Sequence, residues 1–330
     1  MSKRVLRWGL LGTGNITKAV IPPLLSSERN KLISVASRSL QRAETFAHDQ
    51  GLPVAFGSYE ELLASPEIDV VYISLPNTLH AEWTIKAVRA GKHVLCEKPL
   101  AVTVEEVDAV GAEARQAGVV VAEAFMYRHI PQTLKARELV ENDAIGDLRL
   151  IRGSFSYPLD QKVNIRLDRD LAGGSLWDVG CYPISLERYI VGQEPLEVMG
   201  WQVLGPSGVD ETFVGQMRFP GGVFAQFDCS FRAPYRTEVE IVGDKGTICI
   251  PDAFKPGFGL KPEIVVRRGA GVESLTVPAP HLYLGEIEDM ADAVLLGKTP
   301  RIGLAETRGN IAVITALLRS AQEGLPVAIA

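Results

Sequence analysis

Along the first 125 residues, short runs of apolar and β-branched side chains alternate with longer stretches of helical spacing. VLRWGLL (5–11) is a continuous apolar run, the pattern of a strand buried on both faces, and GTGN follows it at once. A helix over 16–25 containing Pro22 and Pro23, a strand over 32–37 (LISVAS) and a polar helix over 40–50 stopped by Gly51 continue the rhythm. Ser58 with Glu61 has the spacing of a capping box at the head of a short helix. The strand VVYISLP (70–76), a helix over 79–90 ending at Gly91, and the strand HVLCEKP (93–99) come next. Thr103 with Glu106 makes a second capping box, whose helix reaches Gly118 before the strand VVVAEAF (119–125). Strict alternation of strand and helix predicts an α/β unit with a parallel, doubly wound sheet of Rossmann type.

Beyond residue 125 the period changes. A helix over 131–142 and one from Ser175 to Tyr189 enclose a strand near 148–157. Long strands follow over 196–204, 210–219, 222–231, 236–243 and 246–250, parted by the turn signals PSG, PGG and GDKG. Within 223–231, Val223, Ala225, Phe227, Cys229 and Phe231 share one face, and Gln226, Asp228 and Ser230 the other. Period two with tight turns predicts a mainly antiparallel open sheet with one buried face, in an α+β domain. The division is thus 1–124 for the Rossmann domain and 125–330 for a domain of substrate binding and self-association. Helices over 282–297 and 304–323 are expected to return toward the first domain. That leaves one sheet face uncovered, with Phe224, Gln226, Asp228 and Ser230 and, from the neighbouring strand, Trp201 and Val203. A homodimer or tetramer through this face is the expectation.

Composition narrows the function. The 330 residues are 46% hydrophobic and 22% charged, ordinary for a globular protein and enough for two domains. The net charge is −6 and basic residues form no long run, which argues against nucleic acid or a membrane surface as partner. Cys96, Cys181, Cys229 and Cys249 are widely spaced, and the five histidines form no H-x-x-H pair. No metal site and no disulfide framework are expected, in keeping with a reducing cytoplasm. The apolar stretch after Lys3, Arg4 and Arg7 is too short for a signal peptide, and no run of 18 apolar residues predicts a membrane span.

Two places carry chemistry. Gly12, Thr13, Gly14, Asn15 and Ile16 lie between a strand and a helix, where a dinucleotide fingerprint belongs. Gly12 permits the tight turn and Gly14 a close approach of backbone to pyrophosphate at the helix N-terminus; Thr17 replaces the usual third Gly or Ala. At the end of the second strand, Ser37-Arg38-Ser39 with Arg42 one turn on offers guanidinium where NAD-binding folds place a carboxylate. This selects NADP(H) over NAD(H), since guanidinium binds a 2′-phosphate. The second place is Glu97-Lys98-Pro99, which carries a lysine to the carboxyl edge of the sheet, where ligands bind. Far along the chain stands GGSLWDVGCYP (173–183), with Ser175 as its helix cap, Asp178 and Tyr182 four apart on one face, and Pro183 a source of kinking.

Taken together, GLLGTGNIT, PNTLHAEW, AGKHVLCEKPLA, AFMYRHIPQ, GGSLWDVGCYP and EIEDMADAV resemble the glucose–fructose oxidoreductase / inositol dehydrogenase / rhizopine catabolism (Gfo/Idh/MocA) family over essentially the whole chain. Tyr182, where many relatives have His, resembles the branch with glucose–fructose oxidoreductase and the NADP-dependent xylose and trans-dihydrodiol dehydrogenases. The resemblance implies Lys98 and Tyr182 as the catalytic pair with Asp178 beside them. It also implies that Leu75, Pro76, Asn77, His80 and Glu97 edge the cofactor, and that Arg128 and Trp177 reach its nicotinamide half. Asn164 and Arg166, in the polar stretch 160–170, are candidates with Asp178 for the substrate hydroxyls. A phenol titrates near ~10 in water, and a neighbouring ammonium lowers that value toward the range of a useful base. The expected activity is hydride transfer between NADP(H) and a hydroxyl or carbonyl carbon of a sugar or cyclic polyol. Alternatives are a reductase of nucleotide-linked ketosugars and a non-catalytic NADP-binding regulator.

Overall fold

The computed structural model describes residues 4–160, 164–256 and 262–329. The chain forms two compact units, one through Met126 with Tyr283–Arg308, the other Tyr127–Leu282 with Gly309–Ala330. The division drawn from the sequence falls two residues before the end of the first stretch, and Tyr283–Arg308 then rejoin that unit.

In the first unit, β1 (Leu6–Leu11), α1 (Asn15–Ser26), β2 (Asn30–Ala36), α2 (Leu40–Gln50), β3 (Val54–Phe56), α3 (Tyr59–Ala64), β4 (Val70–Ile73), α4 (Asn77–Arg89), β5 (His93–Glu97), α5 (Val104–Ala117) and β6 (Val121–Ala124) alternate as expected. The strands lie in the order β3-β2-β1-β4-β5-β6, and every pair is parallel. The order reverses beside β1, which opens the ligand crevice between the loops after β1 and β4. Leu6, Trp8, Leu10, Val70, Tyr72 and Leu95 are almost fully buried, because helices cover both faces of a parallel sheet. Gly51 and Gly118 close α2 and α5 in the left-handed conformation that lacks a Cβ penalty. Thr103 and Glu106 form the full capping box. The Ser58–Glu61 pair differs: the Ser58 hydroxyl accepts from Glu61 N–H, but the Glu61 carboxylate accepts from Gly57 N–H instead.

The second unit contains α6 (Pro131–Glu141), β7 (Leu148–Ser156), a π turn (Leu176–Gly180) and α7 (Cys181–Val191). The strands β8 (Glu197–Leu204), β9 (Asp210–Arg218), β10 (Phe224–Ser230), β11 (Val239–Gly243), β12 (Thr247–Ile250), β13 (Glu263–Arg268) and β14 (Gly271–Thr276) follow. After α8 (Leu284–Leu296), which belongs to the first unit, α9 (Leu304–Glu323) leads to the short β15 (Val327–Ala328). The sheet order is β14-β13-β12-β11-β7-β10-β9-β8-β15, antiparallel except for β7 with β10. Ala225, Phe227, Cys229 and Phe231 are buried, as period two requires, while Phe224 is 49% exposed on the opposite face.

One expectation needs correction. The first residues of α9, Leu304–Arg308, belong to the first unit, and from Gly309 onward it belongs to the second. Gly200 of β8 explains the approach: a Cβ there would lie 2.9 Å from the Leu317 carbonyl oxygen, and Gly200 N–H donates to the Ser320 hydroxyl at 3.1 Å. Without a side chain at that point, the helix backbone settles onto the sheet.

Candidate active site

Gly12 adopts φ +105°, and a Cβ there would stand 3.0 Å from Ser74 Oγ in the loop after β4. The turn therefore requires glycine, and it brings the β1 and β4 loops together at the crevice. Gly14 precedes α1 with no side-chain cap, so the first N–H groups of the helix stay available to an anion. Thr17 fits the third fingerprint position because its hydroxyl turns back and donates to Gly14 O at 2.5 Å. Thr13, Ser39 and Arg42 line a surface groove of about 360 Å³ with Phe46, Asp49 and Lys18. Lys18 was not singled out in the sequence, because a lysine one turn into a helix looks like a solvated surface residue. Ser37 ends β2 almost buried, and Arg38 interacts with the Tyr59 hydroxyl. These residues fit a dinucleotide carrying a 2′-phosphate: a glycine turn a Cβ would block, an uncapped helix end, and cations beyond β2 with no carboxylate at its tip.

At the carboxyl edge of β4 and β5, His80 connects two loops. Its ring nitrogens lie 2.7 Å from Leu75 O and 2.7 Å from Pro99 O. Burial lowers the pKa of His80, and the two carbonyls partly offset that. His80 thus ties Leu75-Pro76-Asn77, at the N-terminus of α4, to the segment that carries Lys98. The Lys98–Pro99 peptide is cis. Glu97 accepts hydrogen bonds from the Tyr72 hydroxyl and from Lys98 N–H. Glu286 of α8 is 2% exposed, and its carboxyl has no hydrogen-bond partner among the described residues. Burial first and Glu97 second push its pKa well up, so it keeps its proton. Its only sequence signal is membership of the EIEDMADAV segment.

In the second unit the two glycines of GGSLWDVGCYP dock a loop. Gly173 N–H donates to Asp168 O and Gly174 N–H to Arg166 O, each at 2.8 Å. A Cβ on Gly173 would meet Arg166 O at 2.5 Å, and Gly174 has φ +126°. Ser175 is not the cap expected of it: its hydroxyl donates to Asp210 Oδ2 at 2.6 Å, and the same oxygen accepts from Leu176 N–H at 2.7 Å. Asp210 on β9 therefore does the capping, and burial pushes its carboxyl up to about 6 against the pull of those bonds. Pro183 stands in the first turn of α7. The π turn Leu176–Gly180 comes just before it, and a proline in the first turn of a helix costs little because the early N–H groups have no partner within the helix.

On this helix Asp178 Oδ2 accepts from the Tyr157 hydroxyl at 2.7 Å and from Arg166 Nε at 2.8 Å. Asn164 Oδ1 accepts from Arg166 N–H at 3.0 Å, so Asn164 fixes the backbone of its neighbour. Residues 161–163 of the candidate stretch lie outside the described residues. The Tyr182 ring packs against Tyr127, Phe155 and Phe254, with centroids 5.1–5.6 Å away. Trp177 is buried. Arg128 Nη1 donates to Ser185 Oγ at 3.0 Å, and its guanidinium carbon stands 3.8 Å from the Tyr189 ring centroid. Arg128 thus anchors α7 from within the unit. Among the described residues no group of three or more His, Cys, Asp or Glu is placed to hold a metal, and no helix is long and apolar enough to cross a membrane.

Comparison with known proteins decides the family. The Gfo/Idh/MocA profile described as an oxidoreductase family with an NAD-binding Rossmann fold matches residues 6–125, and a Gfo/Idh/MocA C-terminal domain matches 133–249. The chain belongs to the Gfo/Idh/MocA family of oxidoreductases. Within this family it is 37% identical to D-xylose 1-dehydrogenase (NADP(+)) 2 of Haloferax volcanii, over 98% of this chain and 99% of that one. Among solved structures, aldose-aldose oxidoreductase from Caulobacter crescentus, complexed with glycerol, superposes with a TM-score of 0.92 at 28% identity. That match covers 98% of this chain and all of the other. A 3-ketoreductase from Actinomadura kijaniata, in complex with NADP and TDP-benzene, gives a TM-score of 0.91 at 29% identity, covering 96% and 98% of the two chains.

Proposed function

We propose that this Gfo/Idh/MocA protein is an NADP(H)-dependent oxidoreductase that interconverts a hydroxyl and a carbonyl on a sugar or related cyclic polyol. The observation that carries the reading is the cationic ground beyond β2, Arg38 with the Arg42–Lys18 groove, in a chain that matches an NADP-dependent aldose dehydrogenase along its whole length. Gly12 and the α1 N-terminus hold the pyrophosphate, and Arg38, Arg42 and Lys18 neutralise the 2′-phosphate. Bound NADP(H) supplies the hydride chemistry. Lys98 and Tyr182 handle the proton that accompanies it: the phenol takes it from the alcohol in oxidation and returns it in reduction, and the ammonium hydrogen-bonds the substrate oxygen. Asp178 holds Arg166, whose Nη groups make no hydrogen bond among the described residues and suit a substrate hydroxyl.

Absorbance of the reduced nicotinamide, followed while purified protein meets NADP⁺ and a panel of aldoses and cyclic polyols, tests this directly. Turnover of at least one aldose or cyclic polyol, with NADP⁺ preferred to NAD⁺, is the expected result. If nucleotide-linked ketosugars alone are reduced, the ketosugar reading of the Actinomadura relative replaces this one. Tight NADPH binding without any turnover transfers the protein to the regulators.

We also assign the open sheet face to a second copy of the chain. Strand register puts Trp201, Val214 and Asp228 in one row across β8, β9 and β10, with Met199, Gln216, Gln226 and Arg152 in the next. Trp201 is 50% and Val203 64% exposed, and Arg236 pairs with Asp228 at 2.8 Å on the same sheet. A mixed face with large apolar side chains suits a closed twofold contact. Light scattering at micromolar concentration should return two or four times 35.8 kDa, and a monomer mass removes the assignment.

A further inference from the structure

His80 is 1% exposed, and both of its ring nitrogens are spent on backbone carbonyls: Nδ1 lies 2.7 Å from Pro99 O and Nε2 lies 2.7 Å from Leu75 O. Among the described residues the ring has no further hydrogen-bond partner. A carbonyl oxygen only accepts. A neutral imidazole carries one N–H and one lone pair, so it serves one of these oxygens and turns the lone pair on the other. Two acceptor atoms facing each other at 2.7 Å repel. Turning the ring over puts carbon where nitrogen was, and C–H···O contacts lie at about 3.3–3.6 Å. Only the imidazolium, with an N–H on each nitrogen, satisfies both carbonyls, and 2.7 Å is the spacing of charge-assisted N–H···O bonds.

We propose that His80 is a positioning residue for Lys98 and works as a proton-dependent clamp: the imidazolium holds the loops after β4 and β5 at both carbonyls, and the neutral ring lets one of them go. This deepens the proposed function and rests on Lys98 acting at the substrate oxygen. Pro99 directly follows Lys98, and Leu75 directly precedes Pro76 and the first turn of α4, so the two bonds fix the lysine backbone against the loop after β4. Beyond Pro99 the segment is held separately, by Glu123 Oε1, which accepts from Leu100 N–H at 2.9 Å. Protonation of His80 therefore changes the tie on the β4 side. Burial is the larger influence on the ring and holds it below the usual histidine value; the two carbonyls act the other way, and the Lys98 ammonium adds to the lowering. Lys98 is the charged group that acts on His80 among the described residues. His80 is also the fourth residue of α4, and a helix N-terminus disfavours a cation.

The test reads the ring itself and needs no substrate. Histidine isotope-labelled at both ring nitrogens is followed by NMR from about pH 5 to pH 8. The His80 signals are assigned by their loss in His80→Asn or, if that variant does not fold, in His80→Gln. Below a midpoint under the ordinary ~6.5, both nitrogens should carry a proton that exchanges slowly with water, and above it one of them should lose it. The amide signals of Lys98 and Asn77 should move with the same midpoint and stay still over that range in His80→Asn, whose single amide keeps at most one tie. With an aldose as substrate, kcat of the wild type should exceed that of His80→Asn by up to about a hundredfold below the midpoint, the cost of an ångström of misplacement, and by less above it. A ring that keeps one state across the whole range, singly or doubly protonated, overturns the proposal. A kcat ratio indifferent to pH, as a purely structural role would give, overturns the positioning of Lys98. A titrating ring with moving amides in a protein that turns over no sugar upholds the clamp and removes the dehydrogenase reading instead.

Discussion

Replacing Tyr182 by Phe is expected to lower turnover by about 10²–10⁴-fold, the contribution of a positioned acid–base group, with NADPH affinity unchanged. The substitution removes the hydroxyl and keeps the ring. The ring is held by Tyr127, Phe155 and Phe254, contacts that phenylalanine reproduces, and the Tyr127 hydroxyl donates to the backbone carbonyl of residue 182, which the change leaves in place. Thermal stability should therefore stay within a few degrees of the wild type, the span that about 1 kcal/mol covers in a chain of this size. Steady-state rates with the best aldose, beside a melting curve and an NADPH fluorescence titration, check all three statements. Activity within a few-fold of the wild type transfers the proton role to Lys98, at the end of β5.

The second large effect concerns the cofactor. Arg38→Ala should weaken NADPH by about ten- to a hundredfold at low ionic strength and leave NADH nearly untouched. A hydrogen bond to a charged group contributes ~1.5–3 kcal/mol, and about 1.4 kcal/mol corresponds to tenfold. Arg42→Ala should act in the same direction, because Arg42 lines the groove in the first turn of α2, where Ser39 caps the helix. Added salt should shrink both effects, since these guanidinium groups are exposed. Fluorescence titration of each variant with both nucleotides gives the answer, and equal losses for NADPH and NADH would falsify the 2′-phosphate assignment.

Much of this was legible in the chain. A parallel strand covered on both faces must read as an apolar run, and VLRWGLL and VVYI do; a helix that stops must find a left-handed residue, and Gly51 and Gly118 supply it. The exposed-buried alternation over Phe224–Phe227 likewise followed from its letters, but Ser230, expected on the open face, is buried with its hydroxyl bonded to Thr212 and to Glu211 O. The strands β13 and β14 were missed because β14 is a mostly exposed edge strand, whose side chains need no apolar period. The parallel pairing of β7 with β10 escaped too, since register across some seventy residues leaves no local mark.

The sequence by itself determined the element types, the glycine turn for a dinucleotide, the cations in place of a carboxylate after β2, and the residue types Lys98, Asp178 and Tyr182. Each depends on backbone sterics or side-chain chemistry within a few residues, and such preferences act wherever the chain folds. Only the tertiary structure decided what those residues meet. Asp210, some thirty-five residues beyond Ser175, caps the motif helix in its place; His80 bridges Leu75 O and Pro99 O; Asp178 joins Tyr157 and Arg166. These bonds are made by short polar side chains between segments distant in sequence. Their direction is set by how closely glycine-lined backbones approach, and no hydrophobic period records that distance.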